Sequence, residues 1–294
     1  MHIPVLQKEV LQHLDPKKNE NFIDCTFGGG GHALTVLEKI SPKGKVLGIE
    51  VDSEIYRKIK PQTKKFLNRL ILVNDSYVNL KKIVEKYSFG PIHGILFDLG
   101  MSSWHLEESE RGFSFMRTEP LDMRYGLQKS LTAEKIINFW AEEEIEKILR
   151  EYGQERFSRT IAKEIIKARK RSQIKTTLQL VGIIKEAIPR KCQHQKIHPA
   201  TRTFQALRIT VNDELENFRR ALPQALEILE KEGRIVVISF HSLEDKIVKT
   251  FFKERAKEDI LKILTKKPII PSKTEIQKNP RSRSAKLRAA IKGV

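Results

Sequence analysis

The sequence predicts an α/β protein whose parallel, doubly wound sheet is interrupted by a smaller helical insert. Three observations carry this. Over the first hundred residues, short apolar runs alternate with helical stretches, the pattern of a parallel sheet wrapped by helices. The alternation then stops, and helical periodicity dominates from Ser130 to about Lys231. Only afterwards does an apolar strand return, Arg234 to Phe240.

Taken in order, Phe22–Phe27 (FIDCTF) reads as a buried strand, and helix signals follow from His32 to Ile40 until a Ser-Pro-Lys-Gly turn. Lys45–Asp52, Leu70–Asp75 and Gly94–Gly100 read as the second, third and fourth strands. In the insert, Thr132 opens one helix, and Glu142–Tyr152 forms another, ended by Gly153. Glu155–Arg171 is a basic amphipathic helix. Thr176 and Gln179 have capping-box spacing, and Pro189 stops the helix they open. A further helical region spans Ala200 to about Lys231. The segment from Lys266 onward is rich in Lys, Pro and Ser and reads as an extended tail, its NPRSRSAKLRAAIK stretch available to dock on the main domain. The expected division is 1–104 and 208–294 for the sheet domain and 105–207 for the insert.

The chain has 294 residues and a formal net charge of +18. Arg156–Asn212 holds 14 Lys/Arg against 2 Asp/Glu, and Lys246–Val294 holds 15 against 4. Charge gathered into two blocks points to a polyanionic partner, since such surfaces bind phosphate polymers by releasing counterions. General solubility is the plainer reading of the same excess. No run of apolar residues is long enough for a membrane span, and the N-terminal stretch lacks a signal-peptide pattern. Two cysteines with no CxxC pair argue against a disulfide framework and a zinc site, so a cytoplasmic protein without metal is expected.

The chemistry concentrates between strand one and the helix after it, in Asp24-Cys-Thr-Phe-Gly-Gly-Gly-Gly-His32. Glycines let the backbone turn sharply and approach a ligand. The helix that follows offers unpaired N–H groups to an anion. About 20 positions on, an acidic residue at the tip of strand two would accept from ribose hydroxyls; Glu50 stands there, with Asp52 beyond it. Two cofactors use such a loop. A dinucleotide would place its pyrophosphate on it, and Gly28-x-Gly30-x-x-Ala33 fits that fingerprint. S-adenosylmethionine would place a carboxylate there. The Asp98 carboxylate at the end of strand four, together with the basic surface, favours the second.

The sequence resembles the RsmH (MraW) family of 16S ribosomal RNA cytosine-N4 methyltransferases. The resemblance rests on HIPVL (His2–Leu6), DCTFGGGGH, DLGMSS (Asp98–Ser103), ERGFSF (Glu110–Phe115) and PLDMR (Pro120–Arg124). It continues through YGQERF (Tyr152–Phe157), HPATRTFQALRI (His198–Ile209), SFHSLED (Ser239–Asp245) and NPRSRSAKLR (Asn279–Arg288), so it covers nearly the whole chain. It implies a class I (Rossmann-like) methyltransferase sheet split by a substrate-recognition insert. It further implies S-adenosyl-L-methionine as cofactor and a cytosine in the decoding centre of the small ribosomal subunit as target. Carried over by position, the cofactor contacts are Gly30, Gly31, His32, Glu50, Tyr77, Asp98 and His105. Glu50 stands where the family usually has Asp, and His105 where Gln is common.

Methyl transfer from a sulfonium needs nitrogen, methyl and sulfur in line. The amine lone pair of cytosine is delocalised, so an acceptor for its N–H assists the attack. Asp98 is the candidate for that catalytic role; binding the cofactor alone is the alternative. An extruded base needs an apolar or aromatic sandwich. Trp104, Phe113, Phe115, Phe204 and Phe240 are candidates, with Phe115 and Phe240 preferred as substrate contacts; as core residues, any of them would do nothing more. Arg202 is expected to face RNA and Arg124 to be structural. Some arginines are expected to pair with Glu110, Asp122, Asp213 or Glu214 and hold insert against core. Lys167–Arg171 suits phosphate contact or a solvated helix end equally. His241 reads as a structural histidine, and Ser242–Asp245 as a helix cap. An RNA-binding assembly factor without catalysis and a nicotinamide-dependent oxidoreductase are the competing readings.

Overall fold

The computed structural model describes residues 4–193 and 197–293, apart from the side chain of Leu67. His2 and Ile3 of the first motif, and Lys196 of the first basic block, lie outside the described residues. The chain forms two compact units, residues 1–100 with 215–294, and residues 101–214.

The first unit begins with α1 (Gln7–Leu14), β1 (Phe22–Asp24), α2 (Gly31–Lys39), β2 (Val46–Glu50), α3 (Ser53–Thr63), β3 (Leu70–Asn74), α4 (Leu80–Lys86) and β4 (Gly94–Asp98). β1 stops at Asp24, three residues short of the expected end. Beyond it the chain still touches its neighbours through Cys25 N–H to Leu96 O and Phe27 N–H to Ile49 O, each 2.9 Å. The second unit contains α5 (Ser103–Glu107), α6 (Ala133–Phe139), α7 (Glu142–Glu151), α8 (Ser158–Arg169), α9 (Thr177–Ala187) and α10 (Thr201–Asn212). Its upper boundary falls at 214 rather than 207 because α10 runs unbroken through 207. The chain returns through α11 (Glu214–Ile228), β5 (Arg234–Ser239), α12 (Ser242–Lys257), β6 (Leu261–Ile263), α13 (Lys273–Lys278) and β7 (Lys286–Lys292).

Among the described residues the sheet has seven strands in the order β3-β2-β1-β4-β5-β7-β6. β1 to β5 are parallel, and β7 is inserted antiparallel between β5 and β6. This is a doubly wound α/β sheet with one antiparallel strand. The extended tail expected from Lys266 onward is therefore corrected: its last part is an internal strand, with Leu287, Arg288, Ala289 and Ala290 all buried. Both faces are covered, since one apolar cluster gathers Ile49, Phe97, Phe218 and Val237 and another gathers Phe22, Leu37, Leu96 and Ile238. Alternate residues of β4 thus enter different cores, as the two-residue period of a strand requires.

The insert has its own core, built from Ile136, Ile145, Leu149, Ile161, Ile165, Leu180, Ile184, Phe204 and Leu207 on the inner faces of α6 to α10. The Thr176/Gln179 capping box forms as the spacing predicts. The arginine pairs also close within this unit. Arg124 grips Asp122 through Nε and Nη2, both at 2.7 Å, and donates to the carbonyls of Leu127 and Lys129. Arg208 grips Glu214 at 2.9 and 3.0 Å. The expectation that such pairs tie insert to sheet domain is corrected for these two, which brace the insert internally. Within the basic run after Lys167, Arg169 donates to Ile137 O and Trp140 O and so caps the end of α6, and Lys167 pairs with Glu164. No helix among the described residues is long and apolar enough to cross a membrane.

Candidate active site

The carboxyl ends of β1, β2 and β4 bring most of the expected cofactor residues of the first unit together, as the switch point of an open α/β sheet does. Gly28 and Gly30 adopt φ of 50° and 77°, left-handed values that a side chain would strain. A Cβ on Gly30 would strike the Phe27 ring at 2.8 Å and one on Gly31 would strike Pro4 at 2.4 Å, whereas one on Gly29 would meet nothing within 4 Å. The loop is closed behind Gly30 and Gly31 and open in front of Gly29. α2 starts at Gly31 with no side chain capping its first turn. The N–H groups there are positioned for an anion.

Glu50 ends β2 and is buried. Its Oε2 accepts from Gly28 N–H at 2.9 Å and its Oε1 from Asp52 N–H at 2.7 Å. Burial pushes its carboxyl up to about 7 against those two hydrogen bonds, with the Asp52 and Asp24 charges adding to the rise. Asp52 caps α3 by accepting from Glu54 N–H at 2.8 Å. Tyr77 follows β3 and sets its ring edge-on to Phe97 at 5.8 Å.

Asp98 ends β4 and is partly exposed. Its own N–H donates to Thr26 Oγ1 at 2.7 Å, and its Oδ1 accepts from Gly100 N–H at 3.3 Å. Oδ2 lies 3.5 Å from Nε2 of His32. His32 is buried, and neither ring nitrogen has a hydrogen-bond partner among the described residues. Asp24, buried at the end of β1, accepts from Thr26 N–H at 3.1 Å. Burial raises its carboxyl to about 6, the His32 charge opposing and the Asp98 charge reinforcing the rise. Asp24 and Thr26 are site residues the sequence argument did not single out. Both lie inside the glycine-rich segment, and that position was the available signal.

Phe240 follows β5. A Cβ on Gly100 would sit 2.8 Å from its ring and 3.3 Å from Asp98 Oδ1. Gly100 thus lets the Asp98 carboxylate and the Phe240 ring pack close to the backbone here, with no room for a side chain. His241 is the N-cap of α12 and forms a capping box with Glu244. The expected cap at Ser242 is corrected by one residue: His241 Nδ1 accepts from Glu244 N–H at 3.4 Å.

The remaining expected site residues belong to the second unit. His105 is buried, its ring centroid 4.9 Å from Phe113 and 4.8 Å from Tyr125. Arg111 lies over Trp104 at 5.0 Å and donates to the carbonyls of Arg124 and Tyr125. Phe115 is half-buried and stacks on His198 at 4.7 Å and 11°, with Phe204 edge-on. Arg202 is half-exposed and donates to Gln154 O at 3.2 Å.

The MraW methylase family matches residues 1–293. Ribosomal RNA small subunit methyltransferase H of Clostridium botulinum strain Kyoto is 45% identical, over 99% of this chain and 98% of that protein. Its namesake in Sulfurihydrogenibium azorense is 46% identical over 98% of each. That of Halothermothrix orenii is 44% identical over 98% of this chain and 97% of its own length. A sheet of class I order, a glycine loop open on one side, a carboxylate at the tip of each flanking strand and this match over nearly every residue lead to one statement: the chain belongs to the MraW methylase family.

Proposed function

We propose that the protein transfers a methyl group from S-adenosyl-L-methionine to the exocyclic amine (N4) of a cytosine in 16S ribosomal RNA, in the decoding centre of the small subunit. It would work in the cytoplasm, where those particles are assembled. The observation that carries this reading is the close approach of the Asp98 carboxylate and the Phe240 ring beside Gly100, at the carboxyl ends of β4 and β5. One supplies an acceptor for an amine N–H, the other a face for a base.

The residues present fit the cofactor. The uncapped first turn of α2, with Gly30, Gly31 and His32, suits its carboxylate. The open side of Gly29 would leave room for the group, and His32 offers two buried ring nitrogens that make no hydrogen bond among the described residues. Glu50 keeps lone pairs for a ribose diol beyond its two backbone bonds, and Tyr77 lines the same edge of the sheet. The group supplies an electrophilic methyl on a sulfonium. The chain's own part is to hold it, to seat the base and to accept the proton that leaves N4, which we assign to Asp98. Within the insert, Phe115 and Arg202 are assigned to RNA. Membership in a methylase family leaves the nicotinamide reading without support.

The test is incorporation of labelled methyl from S-adenosylmethionine into small subunits from cells lacking their own enzyme, followed by nucleoside analysis. N4-methylcytidine is the expected product. Cofactor binding without any incorporation would replace this reading with that of an assembly factor.

A further inference from the structure

A second recess lies wholly within the insert. Glu155, Arg156, Phe157, Cys192, His198 and Arg202 are among the residues that line it. It is open to solvent and has a volume of about 160 Å³. Cofactor-sized pockets run to roughly 300–1,000 Å³, so this one suits a single phosphate with part of its sugar or base.

Its lining is cationic and aromatic. Arg156 lies over the Phe157 ring at 4.6 Å, and its Nη2 reaches Cys192 Sγ at 3.3 Å. Arg202 spends one donor on the Gln154 carbonyl. Each guanidinium is held by a weak or neutral partner, and among the described residues no carboxylate lies within ion-pair distance of either. The one acid in the lining, Glu155, is buried and accepts from Phe157 N–H at 2.8 Å. A guanidinium has five donors in a planar fork, so both keep most of theirs.

His198 completes the wall. Its Nδ1 accepts from Ala200 N–H at 3.2 Å, which puts the proton of the neutral ring on Nε2. Burial, and next the Lys185 charge, hold its pKa below the usual value. The ring is therefore neutral near pH 7, a hydrogen-bond donor that adds no third positive charge. Its stack on Phe115 fixes it as a flat platform.

We propose that this recess is a phosphodiester subsite for single-stranded RNA, in which Arg156 and Arg202 hold one backbone phosphate and the His198–Phe115 stack carries an adjacent sugar or base. It takes a nucleotide other than the one methylated. An acidic peptide could also meet two arginines. RNA is favoured because the platform offers a stacking face beside the fork, and because the surrounding Arg156–Asn212 block carries 14 Lys/Arg against 2 Asp/Glu. The proposal rests on the RNA-methylating reading above.

The test uses the full chain and a labelled single-stranded RNA oligonucleotide, with anisotropy read across a salt series. The variants are R156Q/R202Q and R156K/R202K, and thermal shift with S-adenosylmethionine reports the fold and the cofactor site. The Gln pair is expected to weaken RNA binding about tenfold or more and to flatten the log–log salt slope by about 0.7, the value of one phosphate on a single strand. The Lys pair is expected to restore the slope but only part of the affinity. The cofactor shift stays unchanged in both. Wild-type affinity and slope in the Gln pair would overturn the proposal, as would polyglutamate binding that depends on the two arginines when RNA binding does not. Arginine-dependent RNA binding with no methyl transfer by the wild type would leave the subsite standing and remove the activity reading instead.

Discussion

Oε2 of Glu50 accepts the backbone N–H of Gly28 at 2.9 Å, so the tip of β2 is tied to the glycine loop that follows β1. The same carboxylate is the one assigned to the cofactor's ribose. Loop shape and cofactor affinity are thereby coupled through one side chain, whose proton comes off only at about pH 7.

That coupling has a sign. Glu50 binds its proton more tightly folded than unfolded, where its ordinary value is 4.5. The stability it contributes is full below about pH 4.5 and is lost as pH rises through about 7, by on the order of 3 kcal/mol. Asp24 acts in the same direction between its ordinary 3.8 and about 6. Melting temperatures of Glu50→Gln measured from pH 4 to pH 8 should fall less steeply than those of the wild type. Cofactor affinity, read by calorimetry, should rise with pH across 6 to 8 in the wild type only. Parallel curves would show that Glu50 does not titrate there.

Asp98→Asn keeps an oxygen for the Gly100 N–H but can no longer take a proton. Methyl transfer at saturating substrates should drop by about a hundredfold or more, the usual worth of a positioned base. Single-turnover rates check this. A fall in cofactor affinity alone, with kcat intact, would restrict Asp98 to binding.

Gly100→Ala would push a methyl group to 2.8 Å from the Phe240 ring. Ring displacement should raise KM for small subunits several-fold and lower kcat, while the affinity for S-adenosylmethionine changes little. Equal loss of both affinities would mean that the Phe240 ring serves the cofactor and not the base.

Arg288 in β7 holds Asp245 of α12 at 2.6 and 3.3 Å, and both side chains are largely buried. Arg288→Ala leaves that carboxylate without its main partner, at a cost of about 3 kcal/mol. With roughly 2–4 °C per kcal/mol for a domain of this size, the melting temperature should fall by about 6–12 °C. Lys267→Ala, on an exposed stretch of the same region, should shift it by less than about 1 °C. Calorimetry of the two variants separates a core strand from a docked tail.

Five parallel strands were legible because each is an apolar run flanked by turns and helical periodicity. β7 was not. Its core is Leu-Arg-Ala-Ala-Ile between lysines, with two alanines and a buried arginine in place of a branched run, and its partners β5 and Asp245 lie far back in the chain. The cap at His241 escaped because Ser242 is the commoner capping type. At the site, the glycine segment, Glu50 and Asp98 could be read from spacing alone. The close approach of Asp98 and Phe240 could not, since it depends on what Gly100 lacks. Nor could the recess around Arg156, whose residues come from two stretches separated by α8 and α9.

β4 and β5 pair directly, Gly94 with Arg234 through Asp98 with Ile238, although the whole insert separates them in sequence. Folding therefore has to close a very long loop before these two strands gain anything from each other. An insert that has already collapsed around its own core turns that loop from a floppy coil into a short, stiff span. The order of events during refolding should follow: helical signal first, sheet closure second. A cavity mutation in the insert core, such as Leu149→Ala, should delay completion of a sheet to which Leu149 contributes no strand.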